Sequence, residues 1–234
     1  MILMYHKVDL ISPTRWWVSA ATFAKQMDAL KGREVVYLAD YDPRSDRQCV
    51  ITFDDAYENI HRHGLPILRE RSLPFEVFIN GDFLGRWNHA DRVEPLTRYC
   101  GLEQLDELAA HGARIQWHTI SHPNLTALDA TDVDCEISIP EDLRFRFPKP
   151  HLTWFAYPFG AHSPAVVDAV RRKQFEGAVS VVDGTACDIY QLNRVVASED
   201  LVLADEQRSE KSISTLRRGW THVFERLNLH RRPG

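Results

Sequence analysis

The 234-residue sequence has no long hydrophobic run, no paired cysteine motif and no low-complexity segment. No apolar stretch approaches the ~18 residues that a membrane-spanning helix needs, so we expect no transmembrane segment. The four cysteines are scattered without a Cys-x-x-Cys pair, and a chain of this length folds without disulfides. We therefore expect free thiols, with Cys49 buried in a strand. The 44% hydrophobic and 26% charged residues are typical of a globular protein and exclude a largely disordered chain.

The features of a secretion signal are also missing from the first residues. The apolar start ends after Met4, and neither a basic segment nor a long apolar core accompanies it. We therefore expect a cytoplasmic protein.

A basic surplus is absent as well, since 28 Lys and Arg stand against 33 Asp and Glu, a net charge of −5. Phosphate contacts supply most of the affinity of general nucleic-acid binders, so this balance argues against that class. The basic residues are concentrated at the end of the chain, where residues 207–234 carry seven Lys and Arg and two Glu. Apolar residues at helical spacing predict a closing helix over 212–229. We expect this tail, residues 206–234, to pack on one main domain, residues 1–205. Its basic face would be solvated or in weak contact with an anionic membrane surface.

Short strand-like runs alternate with helix-like runs along the chain. The predicted strands are 2–5, 50–53, 75–79, 114–117, 153–157, 177–182 and 192–197. The predicted helices are 19–31, 56–71 with Pro66 as a candidate kink, 102–111, and a helix to Lys173 that Ser163 caps. This alternation predicts a parallel sheet, although periodicity does not separate an open sheet from a closed barrel. Segments 82–100 and 123–150 are longer and more polar, and we expect them to form loops over one face.

Three motifs each follow a predicted strand directly: Asp54-Asp55, His118 with His122, and the stretch 157–160. In parallel α/β folds the carboxyl ends of the strands carry the catalytic residues. Two adjacent carboxylates at a strand end point in different directions and can take different roles. One of them could equally cap the next helix while the other is solvated.

The two histidines are four residues apart, a spacing that places both imidazoles on one side of a helical turn. Among 11 histidines a close pair is a weak indication by itself. Asp together with two His is, however, a recurrent metal-binding set that leaves positions open for water and substrate. A second carboxylate beside such a set supplies the base that hydrolysis needs.

The third motif, Tyr157-Pro158-Phe-Gly160, forces a turn after its strand. This turn is either ordinary loop chemistry or a rigid wall whose backbone N–H groups face an oxyanion. The residues alone leave both interpretations open.

In this order, the motifs resemble those of the polysaccharide deacetylase family, also called the NodB-homology domain or carbohydrate esterase family 4. The matching stretches are Thr52-Phe-Asp54-Asp55, His118-Thr119-x-x-His122 and Phe155-Ala-Tyr-Pro158-Phe-Gly160. The opening Leu3-Met-Tyr5-His6-Lys-Val8 is similar to the start of exopolysaccharide-type members. The resemblance covers about residues 1–200. It implies an α/β fold, a single-domain distorted (β/α) barrel of about seven parallel strands.

The resemblance also implies a chemistry, the metal-dependent hydrolysis of N- or O-acetyl groups on sugars. Asp54 would be the general base that deprotonates the attacking water. Asp55, His118 and His122 would bind one divalent ion, for which we expect zinc, with cobalt or nickel as alternatives. The products would be a free amino sugar and acetate.

Supporting roles for four further residues follow from the same resemblance. Thr119 would orient the metal site. The backbone N–H of Tyr157 would face the oxyanion, and Pro158 and Gly160 would shape its loop.

The sequence departs from the family pattern in three places. Ala156 stands where the third motif often has an Arg that orients the base, and Arg194 is our candidate substitute. The family's late Asp-Trp motif is not recognisable, nor is its late Leu-x-His motif, whose His acts as general acid. Another group must then protonate the leaving amine, and His6 is our first candidate and His162 the second. Asp54 could also return the proton itself.

We weigh three functions for the chain. The leading one is a deacylase that acts on an amide of an amino sugar in surface-polysaccharide assembly, such as O-antigen or capsule. Its acetamido-sugar substrate would be nucleotide-linked, lipid-linked or an oligosaccharide. The second is a non-catalytic relative that binds a saccharide or a partner, which Ala156 and the missing late motifs favour. The third is a hydrolase of a non-sugar amide. The intact carboxylate and histidine set favours an enzyme.

Overall fold

The computed structural model describes residues 1–89, 93–182 and 188–203. One compact unit extends from Met1 to Leu201. The helix predicted over 212–229 lies outside the described residues, so the tail and the division at 205/206 stay predictions. Cys49, Cys100 and Cys135 are free thiols, and Cys49 is fully buried in its strand, as expected.

Parallel strands and short helices alternate through this unit. The strands are β1 (Ile2–Tyr5), β2 (Lys7–Asp9), β3 (Trp17–Ser19), β4 (Glu34–Val35), β5 (Gln48–Phe53), β6 (Phe75–Ile79), β7 (Ala113–Trp117), β8 (Trp154–Ala156), β9 (Gly177–Ser180), β10 (Leu192–Asn193) and β11 (Val195–Val196). The α-helices are α1 (Ala20–Asp28), α2 (Leu65–Glu70), α3 (Leu102–Ala110), α4 (Ala130–Ile137), α5 (Glu141–Arg146) and α6 (Pro164–Arg172). A π-helical turn, Ile60–Gly64, precedes α2, and 3-10 turns occupy Leu38–Asp40, Gly81–Phe83, Leu125–Ala127, Pro158–Gly160 and Ile189–Gln191.

The main sheet is parallel, in the order β10-β9-β8-β7-β6-β5-β1-β11, and β4 pairs with β5 beside this path. Its two ends belong to one stretch of chain, because only Arg194 separates β10 from β11. Since β10 pairs with β9 and β11 pairs with β1, this stretch closes the sheet into a barrel. With β10 and β11 counted as one interrupted strand, seven positions surround the barrel. The predicted barrel of about seven parallel strands is confirmed.

The interior of the barrel is filled by apolar side chains from nearly every strand. Leu38, from the turn after β4, reaches this cluster and plugs the end of the barrel opposite the strand carboxyl ends. The buried members are Ile2, Leu38, Val50, Phe78, Trp154, Ala156, Val179 and Leu192. Such close packing leaves little room for added atoms.

Gly177→Ala is expected to destabilise the fold for this reason. A Cβ at Gly177 would lie 2.5 and 2.6 Å from two ring carbons of Trp154 and 2.9 Å from the carbonyl oxygen of Ile189. The indole is packed inside the barrel and cannot move without disturbing its neighbours, so we expect a loss of about 1–3 kcal/mol. Gly64→Ala is the matched control, because its Cβ would meet neighbours only at 3.8 Å. Urea unfolding of both variants measures the difference, and equal stabilities would contradict the packing argument.

The predicted helix starts at Ser19 and Ser163 agree with the structure. The Ser19 hydroxyl accepts a hydrogen bond from the backbone N–H of Thr22 and caps α1. The Ser163 hydroxyl accepts one from Val166, and Pro164 takes the first position of α6. Side-chain capping and an initial Pro are therefore sufficient local signals for these two helices.

The helix predicted over 56–71 is wrong at its start. Ala56 adopts a left-handed conformation with a φ of 51°, and the helical region begins at Glu58 and passes into the π-helical turn at Ile60. Pro66 has no N–H, so the hydrogen bond that an α-helix would form there is missing. The N–H of Leu65 donates to the carbonyl of Ile60 instead. The helix therefore widens just before Pro66, which is how π-turns are accommodated in helices.

Segment 123–150, predicted as a loop, contains the helices α4 and α5. Asp129 caps α4, and Val133 and Ile137 bury one side of it. The polar residues that suggested a loop cover its outer side. None of the described helices is long and apolar enough to span a membrane.

Candidate active site

The predicted site residues lie at the carboxyl edge of the barrel. His6, Asp54 and His118 directly follow β1, β5 and β7, and Arg194 interrupts the closing strand between β10 and β11. Because these strands run parallel, the residues that follow them meet at one edge. The strand ends thus gather side chains that are far apart in the sequence.

Asp55, His118 and His122 form a compact cluster of ligand atoms. Asp55 Oδ1 lies 3.9 Å from Nε2 of His118 and 3.7 Å from Nε2 of His122, and the two Nε2 atoms are 3.1 Å apart. Asp55 Oδ1 is buried and has no hydrogen-bond partner among the described residues. An unpaired buried carboxylate oxygen beside two imidazole nitrogens fits a divalent transition-metal ion, and the donor set of one oxygen and two nitrogens suits zinc, cobalt or nickel.

The ring of His118 is oriented for such a role. Its Nδ1 is 2.7 Å from the carbonyl oxygen of Ala156, to which it can only donate, so Nε2 presents its lone pair to the cluster. Burial lowers the pKa of His118 to about 4, against the opposing charge of Asp54. The imidazole is therefore neutral at pH 7, the form that a metal ligand requires.

The backbone around the cluster is strained. Asp55, Thr119 and His122 have φ values of 67°, 76° and 59°, in the left-handed region that non-glycine residues avoid. Thr119 is β-branched, which makes its conformation especially unfavourable. The Thr119 hydroxyl accepts a hydrogen bond of 3.0 Å from the backbone N–H of His122. Strain that is held in place by such contacts is typical of functional sites, and here it turns both His side chains to one side.

Asp54 lies beside this cluster and is held by Arg194. The Arg194 guanidinium donates to both carboxylate oxygens at 2.6 Å, and also to the Thr52 hydroxyl at 3.1 Å. The two charged side chains are only 1% and 5% exposed. Burial alone would raise the pKa of Asp54, but the charge and hydrogen bonds of Arg194, together with His118, hold it well below its usual range. Asp54 is therefore an ionised carboxylate in one fixed orientation.

The structure separates the two histidines that were predicted as candidate acids. Burial lowers the pKa of His6, and the carboxylates of Asp55 and Asp54 lie close enough to oppose that effect. The ring nitrogens of His162 instead face the carbonyl of Gly160 at 3.1 Å and the side chain of Gln191 at 3.2 Å. His6 therefore lies within range of the carboxylate charges, whereas His162 is hydrogen-bonded to Gly160 and Gln191.

The prediction for the Tyr157 backbone does not agree with the structure. Its N–H donates a 3.2 Å hydrogen bond to the carbonyl of Val179, which extends the pairing of β8 with β9. Its hydroxyl donates to the carbonyl of Tyr190. Neither donor of Tyr157 faces the cluster, because strand pairing uses the N–H and the carbonyl of Tyr190 accepts the hydrogen bond of the hydroxyl.

Phe159, two residues later, is a candidate for the role expected of Tyr157. Within the described residues its backbone N–H donates no hydrogen bond, and its ring packs edge-on against His122 at 4.8 Å. Its φ of 59° is again left-handed. The sequence analysis did not identify Phe159. Because the N–H of Tyr157 continues the strand pairing and Pro158 has no N–H, the N–H of Phe159 is the first one after β8 that strand pairing does not use.

Gly160 and Pro158 shape this turn as expected. Gly160 has a φ of 69°, and a Cβ there would lie 2.5 Å from Cγ2 of Val181. Only glycine fits this position without a shift of β9. Pro158, which is buried, supplies the restricted backbone at the start of the turn.

Comparison with known proteins points to one family. The sequence model of a family described as "Polysaccharide deacetylase" matches residues 41–178, more than half of the chain. "Putative polysaccharide deacetylase YxkH" of Bacillus subtilis (strain 168) is 27% identical over 209 residues, which cover 84% of this chain and 71% of the relative.

Solved structures share the fold. The Streptococcus pyogenes deacetylase PplD in complex with acetate matches with a TM-score of 0.73 and 19% identity, over 88% of this chain and 95% of that one. IcaB from Ammonifex degensii matches with a TM-score of 0.68 and 23% identity, over 86% and 92% of the two chains. At these identities the likeness concerns the barrel itself.

Proposed function

Because this chain belongs to the polysaccharide deacetylase family, we propose that it is a metal-dependent hydrolase that removes an acetyl or other small acyl group from an amino sugar. The family predicted from the three motifs is confirmed, and with it the hydrolytic deacetylation of polysaccharide as the class of reaction. The observation that carries the finer proposal is the cluster of Asp55, His118 and His122 beside the buried pair of Asp54 and Arg194.

Different residues of this chain take different roles in amide hydrolysis. Asp55, His118 and His122 would hold a divalent ion, which would supply Lewis-acid chemistry to the acyl carbonyl and to water. Asp54 accepts a proton from the water that attacks the acyl carbon, and Arg194 keeps its carboxylate ionised and aimed. The N–H of Phe159 donates to the oxygen on which negative charge develops.

Release of the amine needs one proton. When the C–N bond breaks, the nitrogen takes a proton and the acyl group leaves as a carboxylate, so one water is consumed. His6 follows β1 at the same edge and is our candidate donor, although burial lowers its pKa and favours the neutral imidazole. Asp54 can also return the proton that it accepted. Thr119 acts through the turn that positions His122, and His162 supports the Gly160 turn.

The substrate that we propose is an acetamido sugar in surface-polysaccharide assembly, of the O-antigen or capsule kind. It would be presented as an oligosaccharide, a nucleotide-linked sugar or a lipid-linked sugar. The cytoplasmic location expected from the sequence stays a prediction. A non-catalytic binding protein is not favoured, because the chain keeps the ligand cluster, the base and the Arg that holds the base.

Metal content per chain is the first measurement. We expect about one divalent ion in the purified wild-type protein or after incubation with zinc, cobalt or nickel, and its loss in His118→Ala. His63→Ala is the matched control, since His63 lies outside the cluster and pairs with Asp9 at 3.5 Å. Chelation should abolish acetate release from acetylated amino-sugar oligomers, and the metal should restore it. A wild-type protein that binds none of these metals would contradict the hydrolase mechanism and favour the binding protein.

A further inference from the structure

Exposed apolar side chains are concentrated at the carboxyl edge of the barrel. Ten large hydrophobic residues are exposed among the described residues, and six of them lie on loops that follow β2, β6 and β8. Scattered single residues of this kind are ordinary, whereas a group at one edge marks an interaction surface. We call five of the six the apolar rim: Leu10 (74% exposed), Ile11 (67%), Trp87 (50%), Val93 (87%) and Leu96 (59%).

Hydrogen bonds join the two loops that carry the apolar rim. The Glu94 carboxylate accepts hydrogen bonds from the Thr14 hydroxyl at 2.8 Å and from Trp17 Nε1 at 2.7 Å. Lys7 donates to the same carboxylate at 3.2 Å, and its side chain is only 2% exposed. This buried pair fixes the loop around Glu94 against the loop that follows β2. Leu10 and Ile11 are thereby held on the same edge as Val93 and Leu96.

Residues 85–89 and 93–99 of this second loop are also joined to each other by hydrogen bonds. The Asn88 side chain donates to the carbonyl of Pro95 at 3.1 Å and accepts from the backbone N–H of Thr97 at 2.6 Å. Trp87 and Arg98 form an antiparallel bridge at its base. The apolar side chains therefore project from a segment whose two arms are hydrogen-bonded to each other.

Among the described residues of the same loops, the exposed charges are mainly positive: Arg15, Arg86 and Arg98 are exposed, against the carboxylate of Asp82. The Arg15 guanidinium lies 4.4 Å from the centre of the Trp16 ring. Apolar tips flanked by cations are the composition that inserts into the interface of an anionic membrane.

We propose that the apolar rim docks on an anionic lipid bilayer and places the mouth of the barrel at the membrane surface. The positive charges attract anionic headgroups, and the apolar side chains enter the boundary between headgroups and acyl chains. The rim lies on two loops of the edge at which the ligand cluster lies, so docking turns the site towards molecules held in the membrane plane. Vesicle binding needs neither metal nor turnover, so its failure is distinguishable from a failure of the proposed function.

Co-sedimentation of the full chain with vesicles tests this proposal. We expect binding to phosphatidylcholine vesicles that contain phosphatidylglycerol, weaker binding to phosphatidylcholine alone, and a loss of binding as salt is raised. The double variants Leu10→Ser/Ile11→Ser and Val93→Ser/Leu96→Ser should each lower the partition coefficient about tenfold or more. Phe145→Ser is the matched control, because Phe145 is 91% exposed on α5 and outside the rim.

Several outcomes would overturn the proposal. One is a wild-type chain that stays in the supernatant with anionic vesicles. Another is unchanged binding in both double variants, which would place the contact elsewhere, the basic tail included. A third is a wild-type chain that binds no vesicles but sediments as a dimer, with the rim variants sedimenting as monomers. That result would assign the rim to contact with a second copy of the chain.

Discussion

Replacing Asp54 by Asn should lower the rate of acetate release by about 10²–10⁴-fold, the usual contribution of a positioned general base. The amide has nearly the same shape as the carboxylate but cannot accept the proton of the attacking water. The three ligand atoms of Asp55, His118 and His122 are untouched, so the metal content should equal that of the wild type. Steady-state rates and metal analysis on the same preparation measure both quantities.

Asp188→Asn is the matched control for this variant. Asp188 is also bound by an arginine, with Arg171 at 2.6 Å, but on the surface and away from the cluster. We expect its rate to stay close to that of the wild type. If Asp54→Asn kept most of the activity with metal bound, Asp54 would not be the base.

Arg194→Ala should cost the fold about 3–5 kcal/mol, because it leaves the Asp54 carboxylate buried without its partner. The two side chains are 1% and 5% exposed, so water does not replace the lost hydrogen bonds. Chemical unfolding measures this loss. Arg171→Ala provides the matched control, since its partner Asp188 is 24% exposed and surface pairs contribute about 0–1 kcal/mol.

Arg194→Lys separates positioning from stability. Lysine keeps the positive charge but offers a single point of contact where the guanidinium spans two oxygens. We expect a folded protein with bound metal, little change in KM and a fall in kcat of up to about 10²-fold, since the base is no longer aimed. Full kcat in either Arg194 variant would show that Arg194 does not position the base.

Local signals explain why much of the fold was predictable. The caps at Ser19 and Ser163 depend on neighbours three residues away, and both helices start there. The start of the helix at Glu58 depended on the left-handed backbone of Asp55 and Ala56, which the sequence pattern does not show. The two helices in 123–150 were missed because α4 buries only two residues and α5 only one, and polar residues outnumber them.

The candidate site was also predictable only in part. Asp54, Asp55, His118 and His122 were predicted because each follows a strand, and parallel strands bring their carboxyl ends to one edge whatever their separation in the chain. Tyr157 was misjudged because the partner of a backbone N–H is set by strand pairing. In this protein that pairing gives the N–H of Tyr157 to Val179 and leaves Phe159 for the site.

By itself, the sequence determined which residues follow the strand ends and so predicted Asp54, Asp55, His118 and His122 as site residues, because residue type and position at a strand end are local properties. Only the tertiary structure decided how the base is held. Arg194 and Asp54 are 140 residues apart, and the pair forms because the last strand closes the barrel between β9 and β1. A contact of that length depends on closure of the whole sheet, and burial of both charges then makes the loss of either partner costly.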